Sequence, residues 1–103
     1  MNESRLLTNA LLELRAASKA IKSEDDLEKT MQKFNMLFVG EQFNVVYARE
    51  LYYYMKENLN LSVQLDDYLK LIPVACKSLN MAYEPLMFAN NTDKLADYQI
   101  TLF

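Results

Sequence analysis

The sequence predicts an α+β domain that is mainly helical, with about four helices followed by a C-terminal two-stranded antiparallel β-hairpin. From Leu7 to Leu79 apolar residues recur every three or four positions, as on the buried face of amphipathic helices. From Tyr98 to Leu102 they alternate with polar residues, which is typical of a half-buried strand. The chain has 103 residues, 51% of them hydrophobic, and one glycine and two prolines. This composition predicts a single domain, 1–103, with its own core.

The apolar pattern of residues 1–40 predicts a pair of helices. The first helix spans about residues 2–22. Its apolar face includes Leu7, Leu14 and Ile21, which lie seven residues apart. We expect this face to pack on its own domain. The alternative is a coiled-coil seam that joins two copies, so that residues 2–22 form a homodimer.

The second predicted helix begins at Ser23, whose side chain can cap it, with Asp26 in the capping-box position. The acids at this start are Glu24, Asp25, Asp26 and Glu28. They lack the alternating spacing and central glycine of a calcium loop, so we interpret them as capping and dipole-stabilising residues. Gly40 is the expected stop, and Leu27, Met31, Phe34, Leu37 and Phe38 are the expected buried face.

Residues 41–103 predict a helix-turn-helix followed by the β-hairpin. The third helix is expected from Glu41 to Asn58, and the fourth from about residue 65 to Leu79, continuing with a kink through Pro73. In the hairpin, Pro85 confines the strand that carries it to an edge of the sheet or to a bulge. The predicted core residues are Leu11, Leu14, Leu27, Met31, Phe34, Phe38, Phe43, Tyr47, Leu51, Tyr54, Leu65, Leu69, Ile72, Cys76, Leu79, Ile100 and Leu102.

The residue types argue against catalysis. The chain has no histidine, which removes the usual general base and most zinc sites. One glycine cannot form a glycine-rich phosphate loop, and Cys76 stands among apolar neighbours, where a thiol is inert. We therefore expect a protein that is not an enzyme and has no metal or cofactor.

Charge and hydropathy limit the cellular locations and the classes of partner that we expect. The formal charge is −3, which gives no general attraction to nucleic acid, and no apolar run approaches the length of a membrane span. A lone cysteine fits a reducing compartment. We expect a cytoplasmic protein with no membrane association and with a protein partner.

The first candidate binding surface is the outer side of the predicted third helix. It would carry Val45, Arg49, Tyr52, Tyr53 and Lys56. Tyrosine and arginine are enriched in protein interfaces, which makes this the predicted partner-binding site. In the alternative interpretation, Tyr52 or Tyr53 only covers a neighbouring element of the same domain.

The second candidate surface is the outer face of the predicted fourth helix. It would carry Asp66, Asp67, Lys70, Val74 and Lys77. In a DNA-binding helix-turn-helix, the start of this helix lies nearest the base edges. Here that start is acidic, so DNA is a weaker prediction than a protein partner or a solvated face.

The order of elements across residues 41–103 resembles the winged-helix arrangement, in which a helix-turn-helix is followed by a hairpin. That resemblance implies contact with a partner through the last helix and the hairpin loop, and it makes a DNA-binding transcription or replication regulator the alternative function. Our leading hypothesis is a small acidic regulatory or adaptor protein that binds another protein through its helical surface. A third hypothesis is an acidic inhibitor of a nucleic-acid-binding protein.

Overall fold

The computed structural model describes residues 3–34, 38 and 43–103, and in these residues it places four helices and one three-stranded sheet. The elements in chain order are α1 (Glu3–Lys19), α2 (Glu24–Phe34), β1 (Val45–Tyr47), α3 (Ala48–Asn58), α4 (Leu65–Ser78), β2 (Ala82–Phe88) and β3 (Asn91–Thr101). The mainly helical α+β class is confirmed, with one strand more than predicted. The expected positions of Leu37, the Gly40 stop and the Glu41 helix start lie outside the described residues.

The sheet is antiparallel, and its strand order is β1-β3-β2. β3 is central, with Ile100 paired to Val46 on one side and to Tyr83 on the other. The predicted hairpin is therefore present as β2 and β3, joined by a turn at Ala89 and Asn90. Pro85 lies on β2, which is an edge strand as predicted, and at an edge the missing backbone N–H is tolerated.

The first part of the predicted third helix is a strand, and the helical prediction is wrong there. The residues Phe43, Val46 and Tyr47 fit a helical period with those that follow, but Val45–Tyr47 are strong β formers that pair with β3. This pairing buries Val46 completely, and the helix begins only at Ala48. Val45 is consequently a sheet residue and does not lie on the third helix.

The predicted cap of α2 is confirmed. The backbone N–H of Asp26 donates to Ser23 Oγ at 3.1 Å, and the Asp26 carboxylate accepts from the N–H of Lys22 at 3.2 Å. The first of these bonds satisfies a backbone donor that the first turn of a helix leaves without a partner inside the helix.

α4 continues through Pro73 as one helix, as predicted. Its N-cap residue, Gln64, makes no capping hydrogen bond with its side chain. Just beyond its end, Asn80 has a left-handed φ of 59°, and the N–H of Met81 donates to the carbonyl of Cys76 at 2.8 Å. This is a Schellman-type end that turns the chain into β2.

The core joins α1, α3 and α4 to the inner face of the sheet. The predicted core residues that are buried are Leu11, Leu14, Phe34, Leu51, Tyr54, Leu69, Ile72, Cys76, Ile100 and Leu102. The other predicted core residues are only half-buried: Leu27, Met31, Phe38, Phe43, Tyr47, Leu65 and Leu79. Leu7 and Leu14 are fully buried inside their own chain, so the coiled-coil seam suggested for residues 2–22 is not available to a second copy.

Candidate functional site

Arg49, from the first predicted surface, is used inside the molecule. Its backbone N–H donates to Asp97 Oδ1 at 3.0 Å, and its Nε donates to the carbonyl oxygen of Ala96. The guanidinium carbon lies 5.9 Å from the centre of the Phe88 ring. Arg49 therefore ties the start of α3 to the hairpin.

Tyr52 is also an internal residue, with 3% of its surface exposed. Its hydroxyl donates to the carbonyl of Val63 at 2.9 Å, and its ring centre lies 4.9 Å from that of Tyr68. It thus fastens the turn between α3 and α4. Of the first surface, Tyr53 and Lys56 present their side chains to solvent, and Tyr53 is 49% exposed.

The second predicted surface is exposed throughout. We call it the α4 face and define it as Asp66, Asp67, Lys70, Val74 and Lys77, all of which are exposed. The opposite side of the same helix is buried through Leu69, Ile72 and Cys76. The helix is therefore amphipathic in the sense that the sequence predicted, and within the described part of the chain no element covers the α4 face.

The α4 face is ordered by charge along the helix. Asp66 and Asp67 stand in the first turn and Lys77 in the last, which suits the helix dipole. Between them, Lys70 Nζ lies 4.0 Å from Asp67 Oδ1, and Val74 is 61% exposed. A valine exposed to this extent among charged neighbours has no counterpart elsewhere on α4, where the apolar side chains are buried or half-buried.

The hairpin end carries an exposed apolar side chain and an aromatic ring close to two cations. Met87 is 47% exposed. Two cations lie close to the Phe88 ring: Lys94 Nζ is 5.7 Å from its centre and the Arg49 guanidinium carbon is 5.9 Å from it. Asp97 is turned inward and accepts from the N–H groups of Arg49 and Tyr98, so its charge is not offered to a partner.

The role of Asp97 is the feature that sequence reasoning missed. Burial raises the pKa of this carboxyl, and the N–H groups of Arg49 and Tyr98 lower it in part. Its hydrogen-bond partner Arg49 lies 48 positions earlier in the chain. No local pattern could connect the two, because the bond depends on β3 lying beside the start of α3.

Two buried ionisable groups, Tyr68 and Cys76, have raised pKa values. Burial raises the pKa of Tyr68 well above its ordinary value, and its hydroxyl donates to the carbonyl of Ala48 at 2.7 Å. Burial also raises the pKa of the Cys76 thiol to about 11. A thiol with this pKa is almost wholly protonated at neutral pH, so it is a poor nucleophile.

Two surface grooves lie where α1 and α2 meet. One of them, a groove of about 260 Å³, is lined by Ile21, Leu27 and Phe43 together with the polar turn between the helices. Within residues 3–34, 38 and 43–103, no group of three or more acidic, cysteine or histidine side chains is placed to hold a metal ion. The groove therefore offers apolar contact and no convergent chemistry.

Two further searches, for a membrane-spanning helix and for similar proteins, found nothing. Among the described residues, no helix is both long and apolar enough to cross a bilayer. The chain matches no protein-family model, no curated protein and no solved structure.

Proposed function

We propose that this chain is a small non-enzymatic regulatory or adaptor protein that binds another protein through the α4 face. The observation that carries the proposal is Val74, 61% exposed between Lys70 and Lys77 on a helix whose other side is buried and whose first turn is acidic. An apolar side chain surrounded by charges offers a partner contact area and charges that fix orientation. Tyr53 and Lys56, the exposed remainder of the first predicted surface, give a second contact.

The charges on the α4 face favour a protein over a nucleic acid. Asp66 and Asp67 stand at the helix end that a helix-turn-helix directs at the base edges, and there they repel phosphates. The formal charge of −3 adds no compensating attraction. A cytoplasmic location belongs to the same proposal, because the single cysteine is buried and needs no oxidising compartment.

Affinity capture with the tagged full chain tests the proposal. Val74→Asp combined with Lys70→Glu should abolish capture of the partner, identified by mass spectrometry, while circular dichroism stays unchanged. Lys29→Glu is the matched control, since its side chain is 72% exposed, against 80% for Lys70, and it lies on α2. Capture that survives the α4 changes, or is lost equally in the control, would show that the partner binds elsewhere.

A second candidate function is DNA binding by a winged-helix regulator. The strand order β1-β3-β2, with β1 entering before α3 and the hairpin following α4, extends the resemblance in element order. In this interpretation α4 enters the major groove and Lys94 on the hairpin meets the backbone. An electrophoretic shift of duplex DNA at low salt that weakens steeply with added salt supports it. If no shift appears with micromolar protein, this candidate is excluded.

The third hypothesis, an acidic inhibitor of a nucleic-acid-binding protein, makes a different prediction. Such a protein should compete with nucleic acid for its partner, and Asp66→Lys with Asp67→Lys should end the competition. Two of the acids at the start of α2 already make local contacts: Asp25 pairs with Lys29 at 3.1 Å, and Asp26 caps the helix. The protein-binding proposal requires no such cluster, and we prefer it.

A further inference from the structure

Asp67 and Lys77 of the α4 face are opposite in charge and equally distant from its middle. Asp67 stands five residues before Ile72 and Lys77 five residues after it, while Lys70 and Val74 stand two residues on either side. At 1.5 Å per residue, Asp67 and Lys77 each lie about 7.5 Å from this midpoint along the helix axis. A face with this order is complementary to a reversed copy of itself.

We propose that the partner of the α4 face is a second copy of this chain, paired through antiparallel α4 helices around a two-fold axis near Ile72. This inference rests on the proposed function and names its partner. Two-fold pairing places Asp67 of each copy opposite Lys77 of the other, so every such contact forms twice. The two helix dipoles then run in opposite directions, which is also favourable.

The exposed valine, and not the charge order alone, is what points to a covered face. The helix dipole by itself favours acids at the start and a base at the end of any helix. It gives no reason for Val74 to stand 61% exposed between them. In the antiparallel pair, Val74 lies opposite Lys70 of the second copy, whose aliphatic stem can cover it while the ammonium group stays in water.

The charges of the face select a second copy over other occupants. Asp66 and Asp67 repel a nucleic acid, and Val74 at the centre adds nothing to a phosphate contact. A different protein would need acids and bases in the matching reversed order, whereas each copy of this chain already carries them. Salt should weaken the association, because both ion pairs lie at an exposed surface.

Reciprocal charge exchange tests the pairing by sedimentation velocity at low salt. A dimer of Asp67→Lys chains would set two lysines against each other at each contact, and a dimer of Lys77→Asp chains would set two acids. Each variant alone should therefore associate about tenfold or more weakly than the native chain. An equimolar mixture of the two variants should associate better than either variant alone, because in a mixed dimer both contacts join a lysine of one chain to an acid of the other. A double variant that carries both changes also has opposite charges at both contacts and should associate as the native chain does.

Asp25→Lys on α2 is the matched control, since its side chain is 72% exposed, against 66% for Asp67. It makes the same change of charge at a similarly exposed position outside the α4 face. Its association should equal that of the native chain. A loss as large as that of Asp67→Lys would assign the effect to net charge and contradict the pairing.

Three results would each overturn the inference. The native chain could stay monomeric at low salt and millimolar concentration, or the single variants could associate as the native chain does. The double variant could also fail to recover association. The proposed function is tested apart from this, by capture with the Asp67→Lys variant. A monomeric native chain that captures another protein, and loses it on this substitution, keeps the proposed function and refutes self-pairing.

Discussion

Single residues from distant parts of the chain complete the start of α3. Its N-cap residue, Tyr47, makes no capping hydrogen bond with its side chain. The carboxylate of Asp97 supplies the acceptor instead, at 3.0 Å from the backbone nitrogen of Arg49. Close by, the Tyr68 hydroxyl donates to the carbonyl of Ala48. The helix that carries the first predicted surface is therefore held at its start by the hairpin and by α4.

Asp97 should make the stability of the domain depend on pH. Burial raises its pKa above the ordinary 3.8, so the folded chain binds this proton more tightly than the unfolded chain does. The stability that this proton contributes is present at low pH and is lost as the pH rises from 3.8 through the raised pKa.

The Asp97→Asn variant isolates this effect, because asparagine keeps an oxygen acceptor and does not titrate. Urea unfolding across this range should show the free energy of unfolding shifting in favour of the variant as the pH rises. A difference that moves in favour of the native chain would mean that the N–H donors outweigh burial at this carboxyl.

The Tyr68 hydroxyl should have a measurable effect on stability. Tyr68→Phe keeps the buried ring but leaves the carbonyl of Ala48 without its donor, which lies at 2.7 Å. The expected loss is about 1 kcal/mol in the free energy of unfolding. Tyr53→Phe, at a position that is 49% exposed, is the control and should change little. Equal losses in the two variants would contradict the internal role of Tyr68.

Among the elements, α4 has one side that stabilises the core and an opposite side that we propose binds a partner. Ile72 is fully buried, and Val74, two residues later, is 61% exposed. Ile72→Ala should cost about 2–5 kcal/mol in the free energy of unfolding, because it leaves a cavity in the core. Val74→Ala removes no buried contact and should stay within about 0.5 kcal/mol of the native chain. Denaturant titration of both variants measures this contrast, and a large loss at Val74 would show that the α4 face is covered within the monomer.

The end of α4 should depend on the backbone of Asn80. This residue has a φ of 59°, a region that glycine and asparagine enter more readily than other residues do. Asn80→Ala should therefore lower the free energy of unfolding by about 1 kcal/mol, and Asn80→Gly should not. Thermal and urea unfolding of the pair check this, and similar losses in both would place the effect in the asparagine side chain.

In the molecule as a whole, the sequence was most informative on α4, where burial follows the helical period. The stripe from Leu69 through Ile72 to Cys76 is buried, and the exposure of the α4 face follows from it. β1 was missed because a three-residue strand is too short to show its own period. The run of two valines and a tyrosine before Ala48 was the signal that could have revealed it.

The first predicted surface could not be judged from the sequence, because contacts between distant residues decide it. Arg49 bonds to residues 47 and 48 positions away, and Tyr52 to one 11 positions away. Helical periodicity says which side of a helix is apolar, but it does not say whether a hairpin or a turn covers the other side. Only the arrangement of β3 beside α3 engages Arg49 within the molecule.

Cys76 reports on whether the whole core opens as one unit. It is fully buried, and burial raises the pKa of its thiol to about 11. A thiol reagent at pH 8 should therefore leave the folded chain unlabelled and react only with molecules that have opened. If the core is cooperative, the free energy of opening derived from labelling rates should equal the free energy of unfolding measured by circular dichroism across a urea series. Rapid labelling without urea, or a much smaller free energy of opening, would show that α4 separates from the sheet while the remaining core stays folded.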